Sequence, residues 1–290
     1  MRTIAHISDV HFGTITDPGV VDGLISDINS RKPTLVVCSG DLTQRGRTWQ
    51  YCAAADFLKR FTAPVLVVPG NHDIPLFDVI RRFFFPLNRY RKHITHDLRP
   101  VHQDEELLVV GVNTARSFTF DIKGFWKDGR ISEEQLLDIR LRTCDQPAST
   151  LKVVVTHHPF IPPRGERVHG IVHQARRALD TLEACGVDVL LAGHLHMGYS
   201  GDVRTHHEAT KRSILSVQAG TATSSRRRGE PNAYNWLALE LHHVTIEVRA
   251  WDGTRFDRST TASFRRKEGI WIAEPQPPPP SSSPSLVVSN

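Results

Sequence analysis

Six short apolar runs recur along the first two thirds of this 290-residue chain, and longer mixed stretches separate them. Unbroken apolar runs of this length are typical of strands that are buried on both faces. The predicted strands are residues 3–8, 34–39, 64–68, 107–112, 151–156 and 187–192. The pattern between them predicts helices at 17–30, 48–61, 132–142 and 173–184. Ser132 and Gln135 have the spacing of a capping box at one helix start.

The pattern changes after residue 196. Residues 213–219, 236–241 and 244–251 have the character of strands, and a tight turn at His242-His243 joins the last two. This arrangement predicts a second sheet with antiparallel pairing. Two stacked sheets need helices on their outer faces, so we predict an α/β fold, a four-layer αββα sandwich of two mixed β-sheets flanked by helices.

The C-terminal end has a different composition. From residue 265 the chain is first basic and then rich in proline and serine, and residues 275–290 contain too few apolar side chains to bury a core. We therefore predict one domain over residues 1–264 and a flexible tail over residues 265–290.

Bulk composition indicates a globular chain. The apolar fraction is 39% and the mean hydropathy is −0.29, and no stretch is long enough to cross a membrane. The first predicted strand begins at residue 3, which leaves no room for a signal peptide. The four cysteines lack CxxC spacing, so we expect buried free thiols in a reducing cytoplasm. The net charge of +5 suits anionic substrates, and a dimer stays open as an oligomeric state.

Five predicted strands end in short polar segments that contain the candidate metal ligands. These are Asp9, His11, Asp41, Asn71, His157, His194 and His196. They offer oxygen and nitrogen donors for two metal ions, without the sulfur that is common at structural zinc sites. Asp41 is the natural bridging ligand, because a carboxylate carries charge and two oxygens. Strand-end turns and caps favour the same residue types, so each segment taken alone has a purely structural alternative.

The order and spacing of the segments resemble the calcineurin-like metallophosphoesterase superfamily, and most closely its bacterial class III cyclic-nucleotide phosphodiesterases. The segments are Asp9-Val10-His11, Gly40-Asp41, Gly70-Asn71-His72-Asp73, Thr156-His157-His158-Pro159 and Gly193-His194-Leu195-His196. The resemblance covers residues 1–250 and implies the same αββα architecture. It also implies one metal on Asp9, His11, Asp41 and His196, and another on Asp41, Asn71, His157 and His194.

The resemblance further implies how the reaction proceeds. A hydroxide that bridges two iron, manganese or zinc ions attacks phosphorus, and His72 faces the leaving-group oxygen while Asp73 holds the other ring nitrogen of His72. Asn71 then contacts substrate as well as metal. His158, whose side chain we expect to point away from that of His157, is given a packing or supporting role.

Several basic residues have two interpretations. Arg45 is placed either to contact phosphate or to cap the following helix, and His169 lies in a loop from which it can reach a substrate. The basic run 226–228 is either a solvated loop or a guide for anions. In residues 80–92 aromatic and basic side chains interleave, as they do at nucleic-acid or membrane-surface contacts. The alternative, which we favour, is that the phenylalanines pack on the sheet with the arginines outside.

The function predicted from these residues is a binuclear metal-dependent phosphodiesterase that acts on a small phosphodiester, a cyclic nucleotide such as 3′,5′-cAMP. Two alternatives remain. A broad-specificity phosphodiesterase or a nuclease would use the same metals, but a nuclease needs an extended basic groove and strongly salt-dependent binding. A non-catalytic interaction module on the same fold would not need to retain the ligand residues or His72.

Overall fold

The computed structural model describes residues 1–15, 17–117, 128–162, 170–206, 210 and 212–275. Its strands are β1 (Arg2–Ile7), β2 (Leu35–Cys38), β3 (Val65–Val67), β4 (Val101–Gln103), β5 (Leu107–Gly111), β6 (Gly129–Arg130), β7 (Leu151–Val155), β8 (Val172–His173), β9 (Val189–Ala192), β10 (Tyr199–Asp202), β11 (Leu215–Gln218), β12 (Ala233–Glu240), β13 (His243–Trp251), β14 (Phe256–Lys267) and β15 (Ile270–Ala273). Its α-helices are α1 (Pro18–Arg31), α2 (Thr48–Lys59), α3 (Val79–Phe84), α4 (Asn88–His93), α5 (Glu133–Thr143) and α6 (Ala175–Ala184). The predicted strands and helices are confirmed to within a few residues, and Ser132 and Gln135 form the predicted capping box.

Two large sheets form the centre of the fold. The first has the strand order β15-β14-β13-β12-β1-β2-β3, and the second has the order β10-β11-β9-β7-β5-β4. Strands β1, β2 and β3 are parallel to one another, as are β5, β7, β9 and β11. Parallel strands present their carboxyl ends at one edge of each sheet, and this edge is where the candidate ligands follow.

Alternating side chains bury both faces of each sheet. Ile4 of β1 and Val109 of β5 belong to the core between the sheets. Leu24 of α1 packs in the core outside the first sheet, and Leu179 of α6 packs in the core outside the second. Helices therefore cover both outer faces, and the predicted four-layer αββα sandwich of mixed sheets is confirmed.

The C-terminal strands differ from the prediction in which sheet they join. The hairpin of β12 and β13 is present, but β12 pairs antiparallel with β1, with Ala5 opposite Trp236. The hairpin thus extends the first sheet across the free edge of β1, and the second sheet is built around β5, β7 and β9. The third predicted strand, β11, pairs parallel with β9 in the second sheet.

The predicted domain boundary at residue 264 is wrong, because it falls inside a strand. β14 continues to Lys267 and pairs antiparallel with β15. Phe264 and Trp271 are buried in the core between the sheets, and the indole of Trp271 donates a hydrogen bond to the carbonyl oxygen of Asp188 at 3.2 Å. Inward aromatic residues therefore anchor a stretch whose composition is mostly basic. Residues 276–290 of the predicted tail lie outside the described residues.

The expectation of four buried free thiols is also wrong. Cys144 and Cys185 form a disulfide between the C-terminal ends of α5 and α6. Cys52 is an exposed free thiol, and Cys38 is the free thiol that is buried as expected. Two helices on the same face of one sheet bring together cysteines that lie 41 positions apart. The cysteines therefore give no support to a cytoplasmic location.

The prediction that the phenylalanines of residues 80–92 pack inward is wrong, because Phe84 and Phe85 are 74% and 52% exposed. Arg81 is exposed as predicted, but Arg82 is only 9% exposed. The guanidinium of Arg82 turns inward and donates to the carbonyl oxygen of Pro75 at 3.2 Å. In the described part of the chain, no helix combines the length and the apolar character that a membrane span requires.

Candidate metal centre

The candidate ligands meet because their strands end at the same edge of the sandwich. Asp9 and His11 follow β1, Asp41 follows β2, and Asn71 follows β3, all from the first sheet. His157 follows β7, while His194 and His196 follow β9, from the second sheet. The seven side chains thus approach from both sheets toward one place.

The backbone at this edge is turned tightly. Five ligand candidates lie in the left-handed region: Asp9 (φ 54°), His11 (φ 51°), Asp41 (φ 54°), His194 (φ 72°) and His196 (φ 58°). A non-glycine residue in this region costs about 1–2 kcal/mol, and such strain concentrates at functional sites. The fold therefore accepts strain here in order to turn these side chains toward a common point.

Glycines at two motif positions let these loops pass closely. A Cβ atom on Gly70 would lie 2.1 Å from Oδ1 of Asp41. A Cβ atom on Gly193 would lie 1.8 Å from Oγ of Ser8 and 2.6 Å from Oδ2 of Asp9. Both motifs therefore begin with glycine because any side chain there would displace a ligand or its support.

The first donor cluster contains Asp9, His11, His196 and Asp41. Oδ1 of Asp9 lies 3.4 Å from Nε2 of His11 and 3.6 Å from Nε2 of His196. Oδ2 of Asp41 lies 3.6 Å from Nε2 of His11. Donor atoms of Asp9, His11 and His196 all lie within 4.8 Å of one another, so one cation can contact these three, and Asp41 adjoins them at His11.

The second donor cluster shares Asp41 with the first. Oδ2 of Asp41 lies 3.3 Å from Nε2 of His157. The same Nε2 lies 3.2 Å from Oδ1 of Asn71 and 3.3 Å from Nδ1 of His194. The structure therefore brings together all seven of the predicted metal-ligand residues.

The unsatisfied atoms of the site show that this donor set fits metal ions. Among the described residues, Oδ1 of Asp9, Nε2 of His11 and Oδ2 of Asp41 are buried without a hydrogen-bond partner. The other carboxylate oxygens are occupied, since Oδ2 of Asp9 accepts from the His194 amide at 2.9 Å and Oδ1 of Asp41 accepts from the His72 amide at 2.8 Å. Buried carboxylate oxygens without a partner are costly, and cations between them would remove that cost.

Two supporting hydrogen bonds set the histidine tautomers. Nδ1 of His157 donates to the carbonyl oxygen of Ser39 at 2.8 Å. Nδ1 of His196 lies 2.7 Å from the hydroxyl of Thr221, and that hydroxyl donates to the carbonyl oxygen of Arg226 at 3.0 Å. Since the hydroxyl proton is already used, His196 must donate from Nδ1. With Nδ1 as the donor, each ring directs Nε2 into the site as the atom that would bind a metal ion.

The protonation states agree with metal binding. Burial lowers the pKa of His194 to about 3 and that of His196 to about 4, so both are neutral at pH 7. Burial acts to raise the pKa of Asp9, but His196 and His11 outweigh it and leave Asp9 ionised. Burial acts to lower the pKa of His157, but the nearby Asp41 carboxylate raises it to about 9. A cation bound between Asp41 and His157 would displace that proton.

The predicted role of Asp73 is wrong. Nδ1 of His72 donates to the carbonyl oxygen of Gln44 at 2.8 Å, so a backbone group orients this ring. The Asp73 carboxylate instead accepts from the amides of Thr43 at 2.9 Å and Gly70 at 2.9 Å. Burial and the charge of Asp41 raise the pKa of Asp73 to about 6. The Asp73 carboxylate therefore links the loop that follows Asp41 to the loop that contains Asn71, by accepting a hydrogen bond from the backbone of each.

Three further residues singled out in the sequence do not have the predicted position, or lie outside the described residues. Arg45 is exposed, and its guanidinium stacks 5.1 Å from the ring centroid of Phe77, so the structure does not bring it to the donor clusters. His169 lies outside the described residues. The His158 ring centroid is 4.9 Å from that of His157, so the prediction that the two side chains point in opposite directions is wrong. His158 also lies close enough to His157 and His194 to hold an ion with them.

Sequence reasoning missed two supporting residues, Gln44 and Thr221. Gln44 acts through its backbone carbonyl, which has no sequence signal. Thr221 is one of several hydroxyl residues in a loop far along the chain, so only its contact with His196 identifies it. Arg226 was recognised only as part of a basic run, although its Nη1 lies 2.9 Å from Nε2 of His72.

Comparisons with known proteins agree with this site. The sequence model of the calcineurin-like phosphoesterase family matches residues 2–198. The chain is similar to the glycerophosphodiester phosphodiesterase GpdQ of Enterobacter lignolyticus, with 36% identity over 171 residues, 55% of this chain and 57% of that protein. It is also similar to a probable cyclic nucleotide phosphodiesterase of Synechococcus, with 29% identity over 82 residues, 25% of this chain and 32% of that protein. The chain thus spans between about a third and three fifths of these curated relatives.

A solved structure supports the fold. A dimetal phosphatase from Danio rerio superimposes with a TM-score of 0.60 at 14% identity, covering 86% of this chain and 96% of that one. The family match covers more than half of the chain, and it contains every residue of the two donor clusters. The resemblance drawn from the motifs is thereby confirmed, and the chain belongs to the calcineurin-like phosphoesterase family.

Proposed function

We propose that this protein is a phosphodiesterase that uses two transition-metal ions to hydrolyse small phosphodiesters. The observation that carries the proposal is the position of Oδ2 of Asp41. It faces Nε2 of His11 at 3.6 Å on one side and Nε2 of His157 at 3.3 Å on the other. One carboxylate oxygen between two donor clusters is the arrangement that a bridging ligand requires.

The two clusters divide the ligands. Asp9, His11, Asp41 and His196 would hold one ion, and Asp41, Asn71, His157 and His194 would hold the other. Mixed imidazole, carboxylate and amide donors suit iron, manganese or zinc. When bound, the ions supply Lewis acidity toward phosphoryl oxygens and water of lowered pKa. Two carboxylates do not neutralise two divalent ions, so the site retains positive charge for an anionic substrate.

Two residues are placed to act on the substrate itself. The amide nitrogen Nδ2 of Asn71 is buried without a hydrogen-bond partner among the described residues, so it can donate to a phosphoryl oxygen while Oδ1 faces the metal cluster. His72 is fixed through Nδ1 by Gln44, which leaves Nε2 toward the site. We assign His72 the transfer of a proton from Nε2 to the leaving-group oxygen. Burial lowers the pKa of His72, so the ring must first take up a proton from solvent at Nε2 and act as the imidazolium.

Cyclic nucleotides are the substrates that the motifs favour. Glycerophosphodiesters are a second candidate, because the GpdQ relative matches over a longer stretch than the cyclic nucleotide phosphodiesterase does. Both are diesters with a single negative charge. A monoester carries nearly two charges at neutral pH and needs more cationic side chains than the donor clusters contain.

The test is a comparison of substrates on protein loaded separately with manganese, iron or zinc, with metal content measured on the same samples. We expect bis-nitrophenyl phosphate to be preferred to nitrophenyl phosphate by about 10-fold or more in kcat/KM, and turnover of 3′,5′-cAMP or glycerophosphocholine to identify the ester. A monoester preference would contradict the proposal. Stable metal binding with no turnover of any ester would favour the non-catalytic alternative.

A further inference from the structure

Arg226 is the arginine of its basic run that reaches the candidate metal centre. Its Nη1 lies 2.9 Å from Nε2 of His72 and 3.4 Å from Oε1 of Gln44. The next two residues, Arg227 and Arg228, are exposed, whereas Arg226 is half-buried. One cation of the three is therefore directed at the residue that faces the leaving group.

The loop that carries Arg226 is held in place from several sides. The hydroxyl of Thr221 binds the Arg226 carbonyl while it accepts from His196. The amide of Ser225 donates to the carbonyl oxygen of Thr14 at 3.1 Å, and the side chain of Asn232 donates to the carbonyl oxygen of Ser224 at 2.9 Å. These hydrogen bonds fix the position of Arg226 relative to the candidate metal ligand His196, so the loop is not simply a solvated segment.

Arg226 has unused capacity to bind an anion. Within the described residues no carboxylate lies at ion-pair distance from it, and its guanidinium contacts Gln44 and His72, both uncharged, through Nη1. A guanidinium offers five N–H donors in a planar fork that matches phosphate oxygens. The positive charge of this half-buried guanidinium faces a neutral histidine and is not balanced by a negative charge. An anionic oxygen of a ligand would balance it.

We propose that Arg226 binds a non-bridging oxygen of the substrate phosphoryl group, as a cationic substrate ligand beside the two metal ions. The phosphoryl oxygen is negatively charged and the His72 ring is not, so the guanidinium binds the phosphoryl oxygen in preference to His72. Nε2 of His72 is then free to face the leaving-group oxygen. This inference rests on the proposed phosphodiesterase function and assigns Arg226 the phosphate contact that the sequence suggested for Arg45.

The test compares Arg226→Ala with Arg228→Ala, which removes the same charge from an exposed position of the same loop. We expect Arg226→Ala to lower kcat/KM for phosphodiesters by about 10²-fold, with Arg226→Lys partly restoring it and Arg228→Ala close to wild type. Metal content should be unchanged in all three. Calorimetry on the metal-loaded proteins should show inorganic phosphate binding weakened about 10-fold or more by Arg226→Ala alone.

The leaving group distinguishes phosphate binding from an effect exerted through His72. Contact with a non-bridging oxygen predicts equal losses for nitrophenyl and alkyl diesters. A loss confined to alkyl diesters, or equal phosphate affinity in the Arg226→Ala and Arg228→Ala variants, would overturn the assignment. Absence of diester turnover in the wild-type protein would instead count against the proposed function, and phosphate calorimetry would still decide whether Arg226 binds the anion.

Discussion

Oδ2 of Asp41 lies 3.3 Å from Nε2 of His157, although Asp41 follows a strand of the first sheet and His157 follows a strand of the second. The core between the two sheets consists of apolar side chains such as Ile4 and Val109. A cation between Asp41 and His157 would therefore link the sheets at their shared edge. Metal binding and stability of the fold should be coupled at this point.

We expect Asp41→Ala to lose both metal ions, because Asp41 is the residue common to the two clusters. Chelation should lower the melting temperature of the wild-type protein, and added manganese should raise it again. The variant should show no such shift, since it lacks the shared ligand. Metal analysis together with thermal denaturation tests this.

Asp56→Ala is the matched control, because Asp56 is exposed and pairs with Lys59 on the surface of α2. It should bind two ions and retain the metal-dependent shift. Two ions bound at full affinity in the Asp41→Ala variant would show that Asp41 does not bridge.

His72→Ala should retain both metals but lower turnover of alkyl diesters by roughly 10²–10⁴-fold, because the departing alkoxide loses its proton donor. The loss should shrink for nitrophenyl diesters, whose leaving group scarcely needs a proton. Kinetics on paired substrates test this, with the exposed His96→Ala as control. Equal losses on both substrates would assign His72 to positioning or charge stabilisation instead.

Removing the Cys144–Cys185 disulfide should destabilise the protein. The bridge closes a loop between cysteines 41 positions apart, for which chain entropy gives about 4 kcal/mol. Cys144→Ser should lower the free energy of unfolding in denaturant titrations, and a reducing agent should do the same to the wild type. Cys52→Ser, at an exposed free thiol, should have little effect. Free Cys144 and Cys185 on alkylation of the native protein would contradict the bridge.

Two truncations test the revised C-terminal boundary. Deleting residues 265–290 removes β15 and Trp271, which is 3% exposed in the core between the sheets, so the melting temperature should fall sharply. Deleting 276–290 removes only the proline- and serine-rich stretch and should leave melting and diester turnover nearly unchanged. A similar loss in both variants would show that the last fifteen residues contribute to the fold.

The helix and strand positions and the candidate ligands were predictable because they depend on local order. Buried parallel strands require unbroken apolar runs, and the carboxyl ends of parallel strands in one sheet share an edge, so the sequence groups Asp9 with Asp41. His157 follows a strand of the same kind, although that strand lies in the other sheet. The capping box at Ser132 is equally local, since its two partners lie three residues apart.

What only the tertiary structure decided depends on contacts between distant parts of the chain. Three features have no signature in any single segment of the sequence. They are the pairing of β12 with the free edge of β1, the disulfide between Cys144 and Cys185, and the inward orientation of Arg82. The orientation of His72 by Gln44 uses a backbone carbonyl, which every residue type possesses. Residue types therefore specified which donors the site contains, whereas packing specified which partner orients each of them.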